Sequence, residues 1–270
     1  MKRLFILSAV ALVCAGAWSP AAAQSWNIQI VDDAGNTGQR SRVAATSDGT
    51  PYIFYQGNGS NLTLAWWVST GAETGGWDRD VLSYSDVYHY AIDMEVDPSD
   101  QLHVAFSKYA GGVGLLYGIF DHATKSWSLA PAVLTSDVGN VSLALRDSSG
   151  TIIPSLAYSA ASSPYELYVA TRDPDLGTWH IQVVYDDYRT ESPSIAVDAA
   201  GKLHVSFYES VGDNLMYATN ASGVWVSEYV DVVGVVGLYS AIVIDAGDIP
   251  YIVYYDDTNN NLKYAKLDNS

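Results

Sequence analysis

The stretch that decides the fold is Ser194–Asp231, with the sequence SIAVDAAGKLHVSFYESVGDNLMYATNASGVWVSEYVD. A similar segment follows in residues 241–270, AIVIDAGDIPYIVYYDDTNNNLKYAKLDNS, but it contains no tryptophan. When the whole chain is aligned to these two segments, it contains five copies of the repeat. Their first apolar runs begin 47 to 52 residues apart, at Val43, Met94, Leu143, Ile195 and Ile242. Self-similarity at a fixed period of about 20–50 residues is typical of repeat folds such as solenoids and propellers.

Each copy contains four short apolar runs, which in the fourth copy are IAVD, LHVSFY, LMYAT and SEYVD. The runs are rich in Val, Ile and Tyr and are separated by Gly, Asp, Asn and Ser, a pattern that indicates strands joined by turns. The repeat therefore predicts an all-β chain, a five-bladed β-propeller with four antiparallel strands per blade. The alternative, two stacked β-sandwich domains, does not explain a continuous fivefold register.

A tryptophan stands before the last strand of the first four copies, and Trp26 takes that place in SWNIQIVDD, residues 25–33. We therefore expect the N-terminal strand to complete and close the last blade, because closure pairs strand edges that would otherwise be open. The equivalent tryptophans are expected to pack between blades. They are Trp26, Trp77, Trp127, Trp179 and Trp225.

Residues 1–23 have the layout of a secretory signal peptide: Lys2 and Arg3, an apolar run, and an Ala-rich cleavage site. The apolar run is shorter than the roughly 20 residues of a membrane span. We therefore expect residues 24–270 to form one exported domain, periplasmic or extracellular, with no transmembrane segment. Cys14 is the only cysteine, so disulfides and thiolate chemistry are excluded from that domain.

The formal net charge of −17 argues against nucleic acid as a partner, because an acidic surface repels phosphate backbones. No cofactor or metal site is predicted. The oxygen-rich run YYDDTNNN could suit Ca²⁺ but lacks EF-hand spacing, so it is interpreted as a hairpin turn. His103 and His204 begin second strands where other copies have Tyr52 and Tyr251, so we interpret them as packed, hydrogen-bonded framework residues.

Two of the copies, VDDAGNTGQRSRVAATSDGTPYIFYQ (residues 31–56) and VDVVGVVGLYSAIVIDAGDIPYIVYYDD (residues 230–257), carry a wider pattern. They resemble a repeat of exported bacterial β-propeller proteins, V-D-x-x-G-x-x-G-x-Y-x-S-I-A-x-D-x-x-G-x-x-H-I-x-Y-Y-D, followed by L-x-Y-A and G-x-W. The resemblance covers essentially all of residues 24–270 and implies the propeller fold. It implies no particular activity, because that repeat is largely uncharacterised.

Ligands of propellers usually bind at the channel mouth, on the face that carries the blade-joining loops, an expectation that rests on fold analogy. Two of these loops depart most from the repeat: VYHY, with Tyr88, His89 and Tyr90, and DDYRTESP, with Arg189 and Glu191. Residues that break the rule of a repeat are better candidates for function than those that obey it. Tyrosine rings also suit the flat faces of sugars.

The inner strands hold a second departure. Arg42 and Asp93 stand where other copies have Ser or Ala, and Glu95 stands where the others have Ala or Val. One interpretation is an ion pair that fills the channel, since a buried charge must find a partner. The other is a ligand site, in which Asp93 and Glu95 could be a general acid and base. The predicted ligand-binding residues are Arg42, Asp93, Glu95, Tyr88, His89, Tyr90, Arg189, Glu191 and Tyr239.

Three functions stay open at this stage. The tyrosine- and tryptophan-rich repeat, without a recognisable catalytic motif, favours a secreted lectin-like propeller whose ligand is a glycan. The alternatives are a glycan-active hydrolase or lyase with one site at the channel mouth, and a cell-surface protein-interaction module. Whether the protein is an enzyme is left open. Several sites per chain would indicate a repeat lectin, and a single site would indicate the channel pocket.

Overall fold

The computed structural model describes residues 27–71, 74–82, 87–108, 114–134, 138–161 and 165–268. The chain divides into two units, Met1–Ile30 and Val31–Ser270. Of the first unit only residues 27–30 are described, and they form neither helix nor strand. No helix in the described residues is both long and apolar enough to cross a membrane.

The second unit contains nineteen described strands in five antiparallel sheets, with strand order following chain order in each. Sheet one comprises β1 Ser41–Ala45, β2 Pro51–Gln56, β3 Leu62–Gly71 and β4 Thr74–Leu82. Sheet two comprises β5 Val87–Val96, β6 Gln101–Lys108, β7 Leu115–Asp121 and β8 Ser126–Val133. Sheet three comprises β9 Val138–Ser148, β10 Thr151–Ala160, β11 Leu167–Arg172 and β12 Trp179–Tyr185.

Sheet four comprises β13 Thr190–Val197, β14 Leu203–Glu209, β15 Asn214–Thr219 and β16 Val226–Asp231. Sheet five comprises β17 Val236–Ile244, β18 Pro250–Asp256 and β19 Asn261–Lys266. A single 3₁₀ turn, Asn58–Ser60, lies between β2 and β3. The all-β prediction and the five strand groups are confirmed, and the five sheets fit the blades of a propeller.

The core lies between consecutive sheets. Four clusters of buried apolar side chains pair sheet one with two, two with three, three with four and four with five. In the first, Phe54 of β2 packs against Phe106 of β6, with ring centroids 6.2 Å apart. Middle strands such as β14 are buried along their whole length because a neighbouring sheet covers each of their faces.

The repeated tryptophans join neighbouring sheets, as the sequence predicts. The indole Nε1 of Trp127 donates a 2.8 Å hydrogen bond to Asp80 of the preceding sheet. Trp225 donates in the same way to Gln182, at 3.4 Å. Trp179 contacts the ring of Tyr117 edge-on in sheet two, with centroids 5.2 Å apart. Inter-sheet packing is therefore confirmed at three of the five positions.

Sheet five has three strands in the described part of the chain, where the repeat predicts four. Trp26 lies outside the described residues, and residues 27–32 contain no strand. Asp32, in the second unit, is instead anchored to sheet one, where it accepts a 2.8 Å hydrogen bond from the Tyr55 hydroxyl and pairs with Arg79. Closure of the last blade by the N-terminal strand therefore stays a prediction.

Candidate functional site

The first strands of the five sheets surround one polar cavity of about 460 Å³. We call it the mouth cavity, because it lies at the beginnings of these strands, where the sheet-joining loops enter. Its lining comprises Arg40, Arg42, Ile92, Asn140, Val141, Glu191, Ser192, Pro193, Tyr239 and Ser240. Every sheet contributes at least one of these residues, so the site depends on the assembled repeat and on no single copy.

One register position supplies much of this lining. Arg40, Asn140, Ser192 and Tyr239 each lie two residues before the position at which the copies carry Arg42, Ser142, Ser194 and Ala241. The register shifts between Glu191 and Ser194 in β13, and again between Leu238 and Ala241 in β17. A β-bulge of this kind re-aims side chains and is common near functional sites.

The bulges place two non-glycine residues in the left-handed backbone region, Ser192 at φ 52° and Tyr239 at φ 54°. For a bulky residue this conformation is uncommon and costs free energy. Tyr239 nevertheless remains 77 % exposed, so its ring is not held there by burial in the core. Backbone strain that presents an open aromatic ring to a cavity is typical of a binding site.

Arg42 and Asp93 form the ion pair that was one of the two sequence interpretations. Arg42 Nε donates to Asp93 Oδ1 at 2.8 Å, with side-chain exposures of 46 % and 15 %. Asp93 Oδ1 also accepts the Met94 N–H at 3.1 Å, and Oδ2 accepts the Leu143 N–H at 2.7 Å. The carboxylate therefore links strands β1, β5 and β9, and only Arg42 of the pair lines the mouth cavity.

Asp93 belongs to a belt of hydrogen bonds between successive inner strands. At the equivalent positions, Ser142 Oγ accepts the Ile195 N–H and Ser194 Oγ accepts the Ile242 N–H, both at 3.2 Å. Each side chain thus accepts a backbone donor of the next sheet. Asp93 performs with a carboxylate what the serines perform with a hydroxyl, which explains why a charge stands at this position.

Glu95 lies elsewhere. It lines a second cavity of about 430 Å³, the far cavity, together with Ala144, Ala196 and Val243 at the opposite ends of the inner strands. Glu95 is exposed, but the strands around its carboxyl partly desolvate it, and this desolvation, followed by the charge of Asp93, raises the pKa of Glu95 to about 7. Because water reaches the side chain, this carboxyl can exchange protons with solvent near neutral pH. The structure does not bring Arg42 and Glu95 into one cavity.

The remaining predicted residues lie around the mouth. Arg189 pairs with Glu191 at 2.9 Å, and its guanidinium lies 5.4 Å from the ring centroid of Tyr165. Glu191 lines the mouth cavity, whereas Arg189 stands beside it. Tyr88, His89 and Tyr90 lie in strand β5, but their side chains are outside the described part of the structure.

The two framework histidines are structural, as the sequence predicts. His103 Nε2–H donates to Asp97 at 3.1 Å and Nδ1 accepts from the Tyr117 hydroxyl, and burial lowers the pKa of His103. His204 repeats this arrangement with Asp198 and Tyr217, at 3.3 Å and 2.6 Å. We call each Asp–His–Tyr set a framework triad.

The described residues contain no group of three or more His, Cys, Asp or Glu side chains that could hold a metal ion. In the run YYDDTNNN, Asp256 accepts hydrogen bonds from the backbone and side chain of Asn259. This carboxylate closes the hairpin between β18 and β19, in agreement with the turn interpretation.

Sequence reasoning missed Arg40, Asn140 and Ser192 as mouth residues. A usable signal was present, because all three share the register of Tyr239, two residues before the inner-strand position of Arg42 and Asp93. Together the mouth residues offer guanidinium, carboxylate, amide and hydroxyl groups beside one aromatic ring. That mixture can orient a neutral polar ligand by hydrogen bonds and cover one of its apolar faces.

No protein-family model matches the sequence, and no curated protein is significantly similar to it. Solved structures do share the fold. AofleA from Arthrobotrys oligospora matches with a TM-score of 0.60 at 14% identity, covering 91% of this chain and 74% of that one. A polysaccharide lyase PL25, an ulvan lyase bound to -[GlcA(1-4)Rha3S]-, matches with a TM-score of 0.57 at 10% identity, covering 84% and 66%.

An apocarotenoid oxygenase of Synechocystis also matches, with a TM-score of 0.53 at 12% identity, covering 86% of this chain and 59% of the oxygenase. This chain therefore spans about three fifths to three quarters of the length of these structures. At such identities the likeness is one of fold alone. The class defined here is thus an all-β repeat protein of the architecture that these proteins share.

Proposed function

We propose that this protein is a secreted carbohydrate-binding propeller whose ligand occupies the mouth cavity. The observation that carries the proposal is a polar cavity lined by residues of all five sheets. Its volume of about 460 Å³ lies within the usual range of ligand pockets. The glycan bound by the ulvan lyase gives the same expectation for this fold.

The lining suits a sugar. Hydroxyl groups need donors and acceptors on several sides, and Asn140 of β9 with Glu191 and Ser192 of β13 supplies both. The exposed ring of Tyr239 offers a flat apolar surface for a sugar face at little entropic cost. The guanidinium of Arg42 is already neutralised by Asp93, so it serves as a hydrogen-bond donor without a net local charge.

The leader-like residues 1–23 and the resemblance to exported bacterial repeat proteins support secretion, to the periplasm or the medium. An export assay tests this part independently. Fusion of residues 1–23 to a reporter should direct it out of the cytoplasm, and retention of the reporter in the cytoplasm would contradict the proposal.

We further propose that residues 24–32 supply the fourth strand of sheet five and so close the propeller. Asp32 accepts from Tyr55 at 2.8 Å, just as Asp231, at the end of β16, accepts from Tyr254 at 2.8 Å. In both cases the aspartate precedes its tyrosine by 23 residues. Asp32 therefore contacts sheet one in the same way that Asp231, at the end of a fourth strand, contacts the sheet that follows it.

Closure is tested by the variant Trp26→Ala. If the indole packs against a neighbouring sheet, its loss should cost about 3–5 kcal/mol of unfolding free energy, as for other buried tryptophans. Thermal denaturation measures the effect. A melting temperature equal to that of the unaltered protein would refute closure without bearing on the ligand.

The binding proposal is tested by a glycan array followed by isothermal titration calorimetry with the best ligand. We expect one site per chain, and the variants Tyr239→Ala and Glu191→Gln should weaken binding at least tenfold, about 1.4 kcal/mol. Tyr264→Ala, which removes another exposed tyrosine far along the chain in β19, is the matched control and should bind normally. Several equivalent sites, or full affinity in both mouth variants, would refute the proposal.

A second candidate, a glycan-active hydrolase or lyase, is favoured by one observation. The pKa of Glu95 is raised to about 7, within the range that suits a general acid. Asp93, which the sequence pairs with Glu95 as general acid and base, already accepts hydrogen bonds from Arg42 and from two backbone N–H groups. Cleavage of polysaccharide that disappears in Glu95→Gln, at an unchanged melting temperature, would establish this candidate over simple binding.

A further inference from the structure

Sheet three departs from the framework triad at all three of its positions. Sheets two and four carry Asp97–His103–Tyr117 and Asp198–His204–Tyr217 there. By strand register, sheet three carries Arg146, Ser155 and Val169 at the equivalent positions. A carboxylate is thus replaced by a guanidinium, and two ring side chains are replaced by smaller groups. A place where one copy breaks the pattern of its neighbours is a candidate for function.

A cavity of about 390 Å³ lies between sheets three and four, and we call it the interblade cavity. Its lining includes Ser155 and Thr171, whose hydroxyl oxygens are 3.0 Å apart. In sheets two and four the position of Ser155 carries a histidine, His103 or His204, which is hydrogen-bonded to the tyrosine that stands where sheet three has Val169. The interblade cavity is separate from the mouth cavity, and the two share no lining residue.

Arg146 is one of two arginines that line the interblade cavity, and Arg172 is the other. Nη1 of Arg146 donates to the Gly201 carbonyl at 3.3 Å, while Nε is buried with no hydrogen-bond partner among the described residues. Gly201 is required beside it, because a Cβ atom there would lie 2.5 Å from Nη1. Across the part of the chain that the structure describes, no carboxylate lies within ion-pair distance of this guanidinium. A buried donor without a partner is costly, so it marks a place where a ligand acceptor would be favourable.

Two amides of the lining present donors as well. The carbonyl oxygen of Gln182 accepts from the Trp225 indole at 3.4 Å, and that of Asn220 accepts from the Leu203 N–H at 2.8 Å. With these oxygens engaged, the NH₂ ends are the groups left to meet a ligand. Asp173 is the carboxylate of the lining, and its Oδ1 is held by the N–H groups of Asp175 and Leu176.

We propose that the interblade cavity binds the oxyanion group, a carboxylate or a sulfate, of a small ligand. Arginine forms strong paired hydrogen bonds with such groups, and amide NH₂ donors complete their coordination. The net charge of −17 repels anions at long range, so recognition must come from these short contacts. The volume of about 390 Å³ leaves room for a sugar-sized body attached to the anion.

The indole N–H of Trp225 provides a local probe, because it is bonded to Gln182 of the lining. In ¹H–¹⁵N spectra of protein labelled on tryptophan, glucuronate and glucose 6-sulfate should shift this resonance, with Kd values of roughly 1 mM. Glucose, which lacks the anion, should leave it in place. A titration with inorganic sulfate tests whether the anion alone is sufficient for binding. If inorganic sulfate binds as tightly as glucose 6-sulfate, the site is assigned to a free anion. The indole resonance of Trp127, in sheet two, is the internal control.

Arg146→Gln should weaken the response to glucuronate at least tenfold, while Arg79→Gln, which removes one positive charge from sheet one, should not. Ser155→His fills the cavity with the side chain that sheets two and four carry at this position, and should abolish the response even if Arg146→Gln fails to fold. Tyr239→Ala should leave it unchanged, so failure here is distinguishable from failure of the mouth site. A Trp225 resonance that does not respond to either anionic sugar, or that responds fully in Ser155→His, would overturn the proposal.

Discussion

Replacement of Asp93 tests whether the belt between inner strands stabilises the fold. In Asp93→Ala the N–H of Leu143, a residue that is 2 % exposed, loses its acceptor at 2.7 Å. A buried donor left unsatisfied costs about 1–3 kcal/mol. The ion pair with Arg42 adds no more than about 1 kcal/mol, because that side chain is 46 % exposed and screened by water. We therefore expect a total loss of about 1–4 kcal/mol in unfolding free energy.

Asp93→Ser is the informative comparison, because serine is what the chain itself uses at positions 142 and 194. The hydroxyl can accept the Leu143 N–H, so this variant should lose only the ion pair, about 1 kcal/mol or less. Urea denaturation followed by tryptophan fluorescence gives both values. The corresponding fall in melting temperature for Asp93→Ala is roughly 2–16 °C for a domain of this size. If serine proves as damaging as alanine, or if alanine is neutral, the belt does not stabilise the molecule.

Three further predictions follow from single features. Trp127→Phe keeps the ring packing but loses the bond to Asp80, so it should cost about 0.5–1.5 kcal/mol in chemical denaturation, and a loss above 4 kcal/mol would contradict this. Because the pKa of Glu95 is raised from 4.5 to about 7, protonation favours the folded state, and stability should fall as pH rises through that interval. Glu95→Gln should flatten this part of the melting-temperature profile, and an unchanged slope would show that another group is responsible. Gly237→Ala should lose about 1–3 kcal/mol in thermal denaturation, since Gly237 has φ 102° and a Cβ would lie 2.7 Å from Leu215 Cα; a neutral variant would show that the backbone can shift.

The sequence was sufficient for the strands, because each copy repeats the same order of apolar runs and turns. It also identified the tryptophans and His103 and His204, since a side chain repeated at one framework position is constrained by packing. It located Arg42 and Asp93 as an anomaly but could not decide their role. Asp93 is held by the backbone N–H of Leu143, about fifty residues away, and only the spacing between sheets brings that donor to it.

Glu95 shows a second limit of pattern reasoning. Residues two apart on a strand share a face, so Asp93 and Glu95 were expected to serve one site. They are nevertheless separated by about 6–7 Å along the strand. That separation is enough to place Glu95 in the far cavity while Arg42 lines the mouth. Arg146 was visible in the aligned copies, but its meaning depends on Ser155 and Val169, which lie on other strands.

The division of the core between consecutive sheets has a consequence for how such a chain can change. Every cluster combines residues of one copy with residues of the next, so no copy carries a complete hydrophobic interior of its own. Exchanging two copies would therefore break pairings on both borders, such as the indole of Trp127 on Asp80 or that of Trp225 on Gln182. Substitutions in this molecule therefore act on the packing between two consecutive copies. New binding chemistry can arise at such a border without altering the mouth cavity.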